Sequence, residues 1–193
     1  MFEESINANP VLTVDELTIK AIGREDAINV AAYFRANRDF LLPWEPHREP
    51  EFYSDIGWLK RASQLSDLQR RQLSYYFLIY REGSDEVIGT ISFSNFIRFP
   101  MYACYVGYSL AENMQGKGIM RRALGRTIRF MFDDLKIHRI MANYMPRNSR
   151  SEAVLTANGF TKEGVAKAYL LINGKWEDHV LTSLINPKWT TDD

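Results

Sequence analysis

The sequence predicts a mixed α/β fold of the α+β kind, in which one mixed, mostly antiparallel sheet of about seven strands carries about four helices. Three observations predict it. Apolar residues alternate at two-residue spacing in a series of short stretches and recur at helical spacing in longer ones, in the order β-α-α-β-β-β-α-β-α-β-β. Strand stretches often follow one another with only turn residues between them, which gives hairpins rather than repeated βαβ units. The 193 residues are 46% apolar and 13% aromatic, enough to bury the core of one globular domain. We divide the chain into an arm over residues 1–12 and a single domain over residues 13–193.

The elements follow in chain order. Leu17-Thr18-Ile19-Lys20-Ala21-Ile22 alternates as a half-buried strand does, and Gly23 closes it before Asp26 marks the first turn of a helix. That helix runs to about Asn37, with Ala27, Val30, Ala31 and Phe34 on one face. Pro43 and Pro46 then predict a loop over Phe40 to Pro46 with an aromatic anchor. Ser54 to about Leu73 is helical again, with Ile56, Leu59, Leu65 and Leu68 apolar among charged residues. Tyr75 to Tyr80, Val87 to Phe96 and Tyr102 to Leu110 are rich in aromatic and β-branched residues and read as three strands. Met120, Ala123, Leu124, Thr127, Ile128, Met131 and Leu135 mark a long helix. Arg139 to Met145 returns as a strand, and Pro146 stops it. A short helix over Ser149 to Asn158 ends at Gly159, and Phe160 to Ile172 and Lys175 to Leu184 form a hairpin across Asn173-Gly174.

Composition excludes several classes of function. The formal net charge is zero, so no overall field draws the chain to DNA or to an anionic membrane. No window approaches the length of a membrane-spanning apolar run, and Glu3 and Glu4 sit where a secretion signal would need a basic start, so we expect a cytoplasmic protein without a membrane partner. Cys104 is the single cysteine, and His47, His138 and His179 are too widely spaced to suggest a metal site, so no metal is expected. We read His47 and His179 as ordinary surface or strand residues.

Chemistry concentrates between Leu110 and Met131. A strand ends, Gly116-Lys117-Gly118 forms a tight loop, and a helix starts at once, so unpaired backbone N–H groups converge on one spot. The helix dipole adds positive potential, and Lys117, Arg121, Arg122, Arg126 and Arg129 add cations, which suits a pyrophosphate. A bland reading, a turn followed by a solvated basic face, competes with this one. A Walker loop is excluded because Lys117 is followed by glycine rather than serine or threonine, and the third glycine of a dinucleotide fingerprint is missing.

Gln115-Gly116-Lys117-Gly118-Ile119-Met120 resembles the pyrophosphate loop Gln/Arg-x-x-Gly-x-Gly/Ala of the GCN-related N-acetyltransferases, departing only at Met120. The element order is similar to that family across nearly the whole chain. Within the family, Phe40 to Pro46, Val106-Gly107-Tyr108, Asn148-x-x-Ser151 and Gly159-Phe160 resemble the bacterial enzymes that acetylate ribosomal proteins at their N-termini. Ala142-Asn143-Tyr144-Met145-Pro146 resembles those whose acceptor is alanine.

The resemblance implies a sheet with one splayed pair of strands, acetyl-CoA as co-substrate, and direct attack of an amine on the thioester without a covalent enzyme intermediate. It implies that the cofactor lies along the strand Tyr105 to Leu110, against Tyr108, Ser109 and Leu110, with an oxyanion donor at the amide of Tyr108 or Ser109. Gln115, Gly116, Lys117, Gly118, Ile119, Met120 and Arg121 form the phosphate end. Asn148 and Ser151 contact the cofactor, with Ser151 donating a proton to the departing thiolate. Ser149-x-x-Glu152 equally fits a capping box, in which Asn148 and Ser151 merely finish a helix start. Tyr105 stands where serine-acetylating relatives carry a glutamate base. At pH 7 a lysine side chain is neutral in about one molecule in 2,500, a cost of about 4.6 kcal/mol, whereas an α-amine costs about 1.1 kcal/mol. A neutral Tyr105 therefore favours an α-amine acceptor, with a water relayed through Tyr105 or Ser94 as an alternative way to remove the proton. The acceptor groove implied by the resemblance is bounded by Trp44, Glu45, Tyr169 and Asp178.

Three functions stay in view at this point. The first is acetylation of the N-terminal amine, with alanine favoured, of a ribosomal protein that stands free or in the assembling small subunit. The second is acetylation of a small amine such as a polyamine or antibiotic. The third is a non-enzymatic role in ribosome assembly.

Overall fold

The computed structural model describes residues 9–190. It contains β1 (Val11–Val14), β2 (Leu17–Ala21), α1 (Ala27–Ala36), α2 (Arg38–Leu41), α3 (Asp55–Arg70), β3 (Tyr75–Arg81), β4 (Gly89–Ile97), β5 (Ala103–Leu110), α4 (Ile119–Asp133), β6 (Arg139–Tyr144), α5 (Ser149–Ala157), β7 (Thr161–Ile172) and β8 (Lys175–Ile185). The strands form one sheet in the order β1-β2-β3-β4-β5-β6-β8-β7.

Two elements depart from the sequence reading. The arm assigned to residues 1–12 lies outside the described residues up to residue 8, and β1 begins at Val11. β1 turns into β2 through Asp15 and Glu16 alone, with Asp15 at φ 48°. Its alternation is only four residues long and buries Leu12 alone, too little to register as a pattern. The loop predicted over Phe40 to Pro46 contains α2 and a single 3-10 turn at Leu42–Trp44. Pro43 occupies the first turn, where its missing N–H would have had no partner, so it starts that turn instead of forbidding it.

Every neighbouring pair in the sheet is antiparallel except β5 and β6. These two pair only at Ala103–Arg139, Cys104–Ile140 and Tyr105–Met141. Beyond Tyr105 both strands continue without a partner across the gap, and the sheet splits into a V that opens toward Leu110 and Tyr144. β6 keeps its course because β8 holds its far edge through Tyr144–Val180, while β5 keeps its own because β4 follows it to Gly89–Leu110.

Two cores fix the two faces of the sheet. On one, Ile119, Ala123, Leu124 and Met131 of α4, with Leu155 of α5, pack on Cys104, Val106, Leu110, Ile140, Ala142 and Val180. On the other, Val30 and Phe34 of α1 and Trp58 and Ala62 of α3 pack on Leu78 and Tyr80. Phe34 stacks on Trp58 with ring centroids 5.2 Å apart. Ser54 starts α3 by accepting the Gly57 amide at 3.0 Å, and a side chain at Gly57 would meet the Glu51 carbonyl at 2.0 Å. Among the described residues, no helix is long and apolar enough to cross a membrane, and no three His, Cys, Asp or Glu side chains are grouped to hold a metal ion. Cys104 is fully buried, and burial pushes its thiol up to about 12, which leaves it unreactive near neutrality.

Candidate functional site

The split between β5 and β6 is the floor of a cleft of about 290 Å³ that runs through the sheet. One end is bounded by Gln115, Met120, Asn148, Ser151 and Val154, and the other by Trp44, Glu45, Leu170, Ile172 and His179, with the Arg150 guanidinium 5.7 Å from the Phe40 ring joining the two sets. Strand alternation sorts the β5 side chains between them. Val106 and Leu110 belong to the α4 core, so Tyr105, Gly107 and Ser109 turn to the opposite face. The backbone sorts in the same way. Ala111 donates its N–H to Ile88 at 2.8 Å, and alternation from there turns the Ser109 amide toward β4 and the Tyr108 amide into the split. Of these two amides, only that of Tyr108 faces the split.

The first end is built from backbone. Gly116 and Gly118 lie at φ 73° and 69°, the left-handed region that glycine enters without cost, and nothing stands within 4 Å of where their side chains would be. Gly118 is the N-cap of α4, and the first helical hydrogen bond is from Arg122 N–H to Gly118 O. The amides of Ile119, Met120 and Arg121 therefore precede the helical ladder. No acidic residue occupies the first turn and no side chain caps it, so the positive end of the helix is left for an anion. Gln115 lines the cleft, and its Nε2 donates to the Leu110 carbonyl at 2.9 Å and ties the loop to the end of β5. Ile119 and Met120 turn their side chains into the core, 4% and 5% exposed, so the larger residue at Met120 does not crowd the loop amides. Lys117 donates to the Asn113 carbonyl at 2.9 Å, and Arg121 is exposed. Arg122 is not available to an anion, because Glu16 takes it at 2.7 and 2.8 Å and Asp15 at 2.9 Å. That guanidinium holds the Glu16 carboxyl down at about 2.

Ser151 lies in the cleft beside Tyr108, whose hydroxyl stands 2.9 Å from Ser151 Oγ and 3.2 Å from its carbonyl oxygen. Burial drives the Tyr108 phenol well above its usual range, so it remains a neutral donor. When it donates to Ser151, the serine proton is free to point at the cleft. The capping box read from Ser149 and Glu152 does not form. Asn148 is the N-cap of α5 and accepts the Ser151 amide at 3.1 Å, while Glu152 accepts instead from the Tyr144 hydroxyl at 2.9 Å. Asn148 thereby fixes the position of Ser151.

The second end is built from side chains of distant segments. Trp44 lines the cleft under the Arg147 guanidinium, 5.5 Å from the ring centroid. Glu45 lines it too, with Arg48 at 3.6 Å, and burial pushes its carboxyl up against the pull of Arg48. The Asn173 amide donates to the Glu45 carbonyl at 3.2 Å, so the β7–β8 turn is latched to the cleft-lining segment over residues 40–46, the lid of this end. Tyr105 is at the apex of the V but does not line the cleft; its hydroxyl engages Tyr169. Tyr169 in turn packs on His179 with ring centroids 5.7 Å apart, behind the cleft wall.

Asp178 is brought elsewhere. Its carboxylate accepts the Ala168 amide at 2.9 Å and pairs with Lys167 at 2.7 Å, which holds a bulge in β7 where Ala168 lies at φ 46°. His179, read from the sequence as an ordinary strand residue, is 3% exposed and lines the cleft. A lone histidine between Asp178 and Val180 carries no signal that singles it out. A second cleft of about 200 Å³, bounded by Phe34, Arg48, Trp58, Arg61, Tyr76 and Thr90, opens from the same face and shares Glu45, Gly107, Tyr108 and Ser109 with the first. Between the two, Tyr33 donates to Ser109 Oγ at 2.9 Å, and Thr90 Oγ1 is 3.0 Å from it.

A family model described as an acetyltransferase (GNAT) domain matches residues 16–161. The [ribosomal protein uS5]-alanine N-acetyltransferase of Escherichia coli is 45% identical over 179 residues, which cover 93% of this chain and 92% of that protein. The crystal structure of ribosomal-protein-S5-alanine acetyltransferase from Vibrio fischeri superimposes with a TM-score of 0.91 at 48% identity, covering 94% of this chain and 99% of that one. RimJ of Mycobacterium smegmatis, solved with CoA-disulfide, superimposes with a TM-score of 0.83 at 28% identity, covering 92% of this chain and 86% of that one.

Proposed function

The chain belongs to the GNAT acetyltransferase family, and from that premise we propose that it transfers the acetyl group of acetyl-CoA to the N-terminal α-amine, on alanine, of a ribosomal protein. The observation that carries this reading is the cleft that passes through the split sheet, with unpaired amides at one end and a latched lid at the other. Such a passage lets a phosphate-bearing thioester enter from one face and a narrow, extended chain terminus from the other.

The amides of Gly116 to Arg121 hold the pyrophosphate, and the open edge of β5 pairs with the arm that carries the thioester. The Tyr108 amide, directed into the split, donates to the carbonyl oxygen as charge develops on it. Ser151, positioned by Asn148 and Tyr108, gives a proton to the leaving sulfur. Glu45 and Trp44 meet the incoming cationic terminus, the carboxylate by charge and the indole by its face. The ribosomal protein is the partner, met free or within the assembling small subunit in the cytoplasm.

Intact-mass spectrometry of ribosomal proteins from cells with and without the gene tests this reading. The fifth small-subunit protein is expected to lose one acetyl group in the deletion strain. Unchanged masses throughout, together with turnover of a small amine by the purified protein, would overturn it.

A further inference from the structure

A protonated α-amine must lose a proton before it attacks, and the β5 position suited to a base carries Tyr105, whose hydroxyl is engaged by Tyr169. The carboxylates near the acceptor end are each held by cations: Glu45 by Arg48, Asp178 by Lys167, and Glu177 by Arg147 at 2.9 Å and Lys175 at 4.0 Å. His179 is different. It is buried, it lines the cleft, and its Nδ1 is 3.0 Å from the Glu177 carbonyl oxygen. A carbonyl only accepts, so Nδ1 carries the ring proton, and the lone pair of the neutral imidazole is on Nε2. Tyr169 braces the ring from β7, and the bulge held by Asp178 places Tyr169 there, between Ala166, which pairs with His179, and Leu170.

Topology then puts this nitrogen on the right side of the split. β8 holds β6 through Tyr144–Val180, and Val180 belongs to the α4 core, so His179 turns to the opposite face, the one that Tyr105, Gly107 and Ser109 of β5 share. Val106 to Leu110 form one wall of the gap, and the β6–β8 pair forms the other.

We propose that His179 is the general base of the acetyl transfer, supplied from β8 across the V from the place on β5 where a carboxylate is absent. The inference rests on the reading of the substrate as an amine that attacks from the acceptor face. In the step, an N–H bond of the α-ammonium breaks and an Nε2–H bond forms. The amine nitrogen attacks the thioester carbon, the N–C bond forms and the C–S bond breaks. A second proton leaves that nitrogen for the thiolate by way of Ser151, and the imidazolium returns its proton to solvent. One ammonium and one thioester give one amide, one thiol and one released proton.

The titratable and charged groups around His179 are Tyr169 on β7, whose ring packs on it, Glu177 and Asp178 on its own strand, and Glu45, which lines the same cleft. The test compares His179→Gln with the unaltered enzyme on an alanine-initiated peptide from pH 6.5 to 9. At pH 7 we expect kcat to fall about 10- to 100-fold with the KM for acetyl-CoA within about twofold. The deficit should shrink above about pH 7.8, where the α-amine deprotonates unaided. A deficit that stays constant with pH, or a kcat within about twofold of the parent at pH 7, overturns the proposal. A second readout needs neither acceptor nor variant: ¹⁵N spectra of the imidazoles of the full chain should give His179 as the Nδ1–H tautomer, and an Nε2–H tautomer overturns the assignment. If the unaltered enzyme ignores alanine peptides but acetylates another amine, the acceptor reading falls while the His179 comparison is run on that amine.

Discussion

The two ends of the cleft are built on different principles. At the end proposed for the phosphates the free donors are main-chain amides, made available by two left-handed glycines and a helix that begins without a side-chain cap. At the acceptor end the contacts are side chains from the lid, from β6, and from both strands of the β7–β8 hairpin. A backbone site asks only that certain side chains be absent, so it binds what every acyl-CoA has in common. A side-chain site is set by the identity of each residue that reaches it, so it is where acceptors are told apart. A charge placed among the loop amides should therefore weaken cofactor binding strongly, whereas damage to the second end should change acceptor preference by smaller steps.

The largest effect is expected from Gly118→Asp. The aspartate would put a carboxylate among the donors, and acetyl-CoA affinity measured by calorimetry should fall at least about 100-fold, roughly 2.7 kcal/mol. Gly118→Asn separates charge from shape, because asparagine also enters the left-handed region and is close in size. It should cost less than about tenfold, and an equal loss for the two variants would show that the loop does not act through its potential. Ser151→Ala comes next. Removing the donor to the thiolate should lower kcat about 100-fold with little change in either KM. Tyr108→Phe should lower it less, and the double variant should fall short of the product of the two because both act through one hydrogen bond. Multiplicative effects would separate the two residues.

Glu45→Gln probes the other end. Loss of the carboxylate should raise the peptide KM about three- to tenfold while acetyl-CoA affinity stays within about twofold. Burial raises the Glu45 carboxyl above its ordinary value, so the fold favours its neutral form. The stability this group contributes is present below the unfolded value and is lost as pH rises through the folded one. At pH 7 the glutamine variant should therefore unfold at the same temperature as the parent or slightly above it, even as it binds peptide less well. A lower melting point with an unchanged KM would mean that Glu45 supports the lid and does not meet the substrate.

The contrast between the ends also explains what could be read in advance. The helix start at Ile119, the hairpin at Asn173-Gly174 and the phosphate loop are local: a few consecutive residues dictate each conformation, and the periodicity on either side confirms it. β1 escapes a sequence reading because four residues with one buried side chain carry no period, and the 3-10 turn at Leu42–Trp44 does so because Pro43 opens that turn instead of ending all helical structure. Asn148 fits either reading in the sequence, and the structure makes it the cap that fixes the Ser151 amide. His179 and Asp178 are adjacent residues with opposite fates. Alternation sends one into the cleft and the other to the hairpin bulge, and which goes where depends on the register between β7 and β8, set by hydrogen bonds that no single stretch of sequence encodes.

Asp178→Asn gives the smallest expected effect and tests that last distinction. Lys167 and the Ala168 amide hold the Asp178 carboxyl below its ordinary value. The stability it contributes is accordingly present above the unfolded value, near pH 4, and lost as pH falls through the folded one. The pair is solvent-exposed, so the variant should melt no more than about 2 °C lower at pH 7, and the difference should vanish once the pH lies below the folded value. Asparagine keeps a carbonyl oxygen for the Ala168 amide and loses only the attraction to Lys167, so the bulge, Tyr169 and the ring of His179 should stay in place. The peptide KM should then move by less than about twofold, in contrast to Glu45→Gln. Asp178→Ala removes the acceptor as well, and its effect should fall on kcat, through Tyr169 and His179, before it falls on KM. If Asp178→Asn instead raises the peptide KM as far as Glu45→Gln does, Asp178 reaches the substrate directly and the acceptor end extends along β8 beyond the cleft.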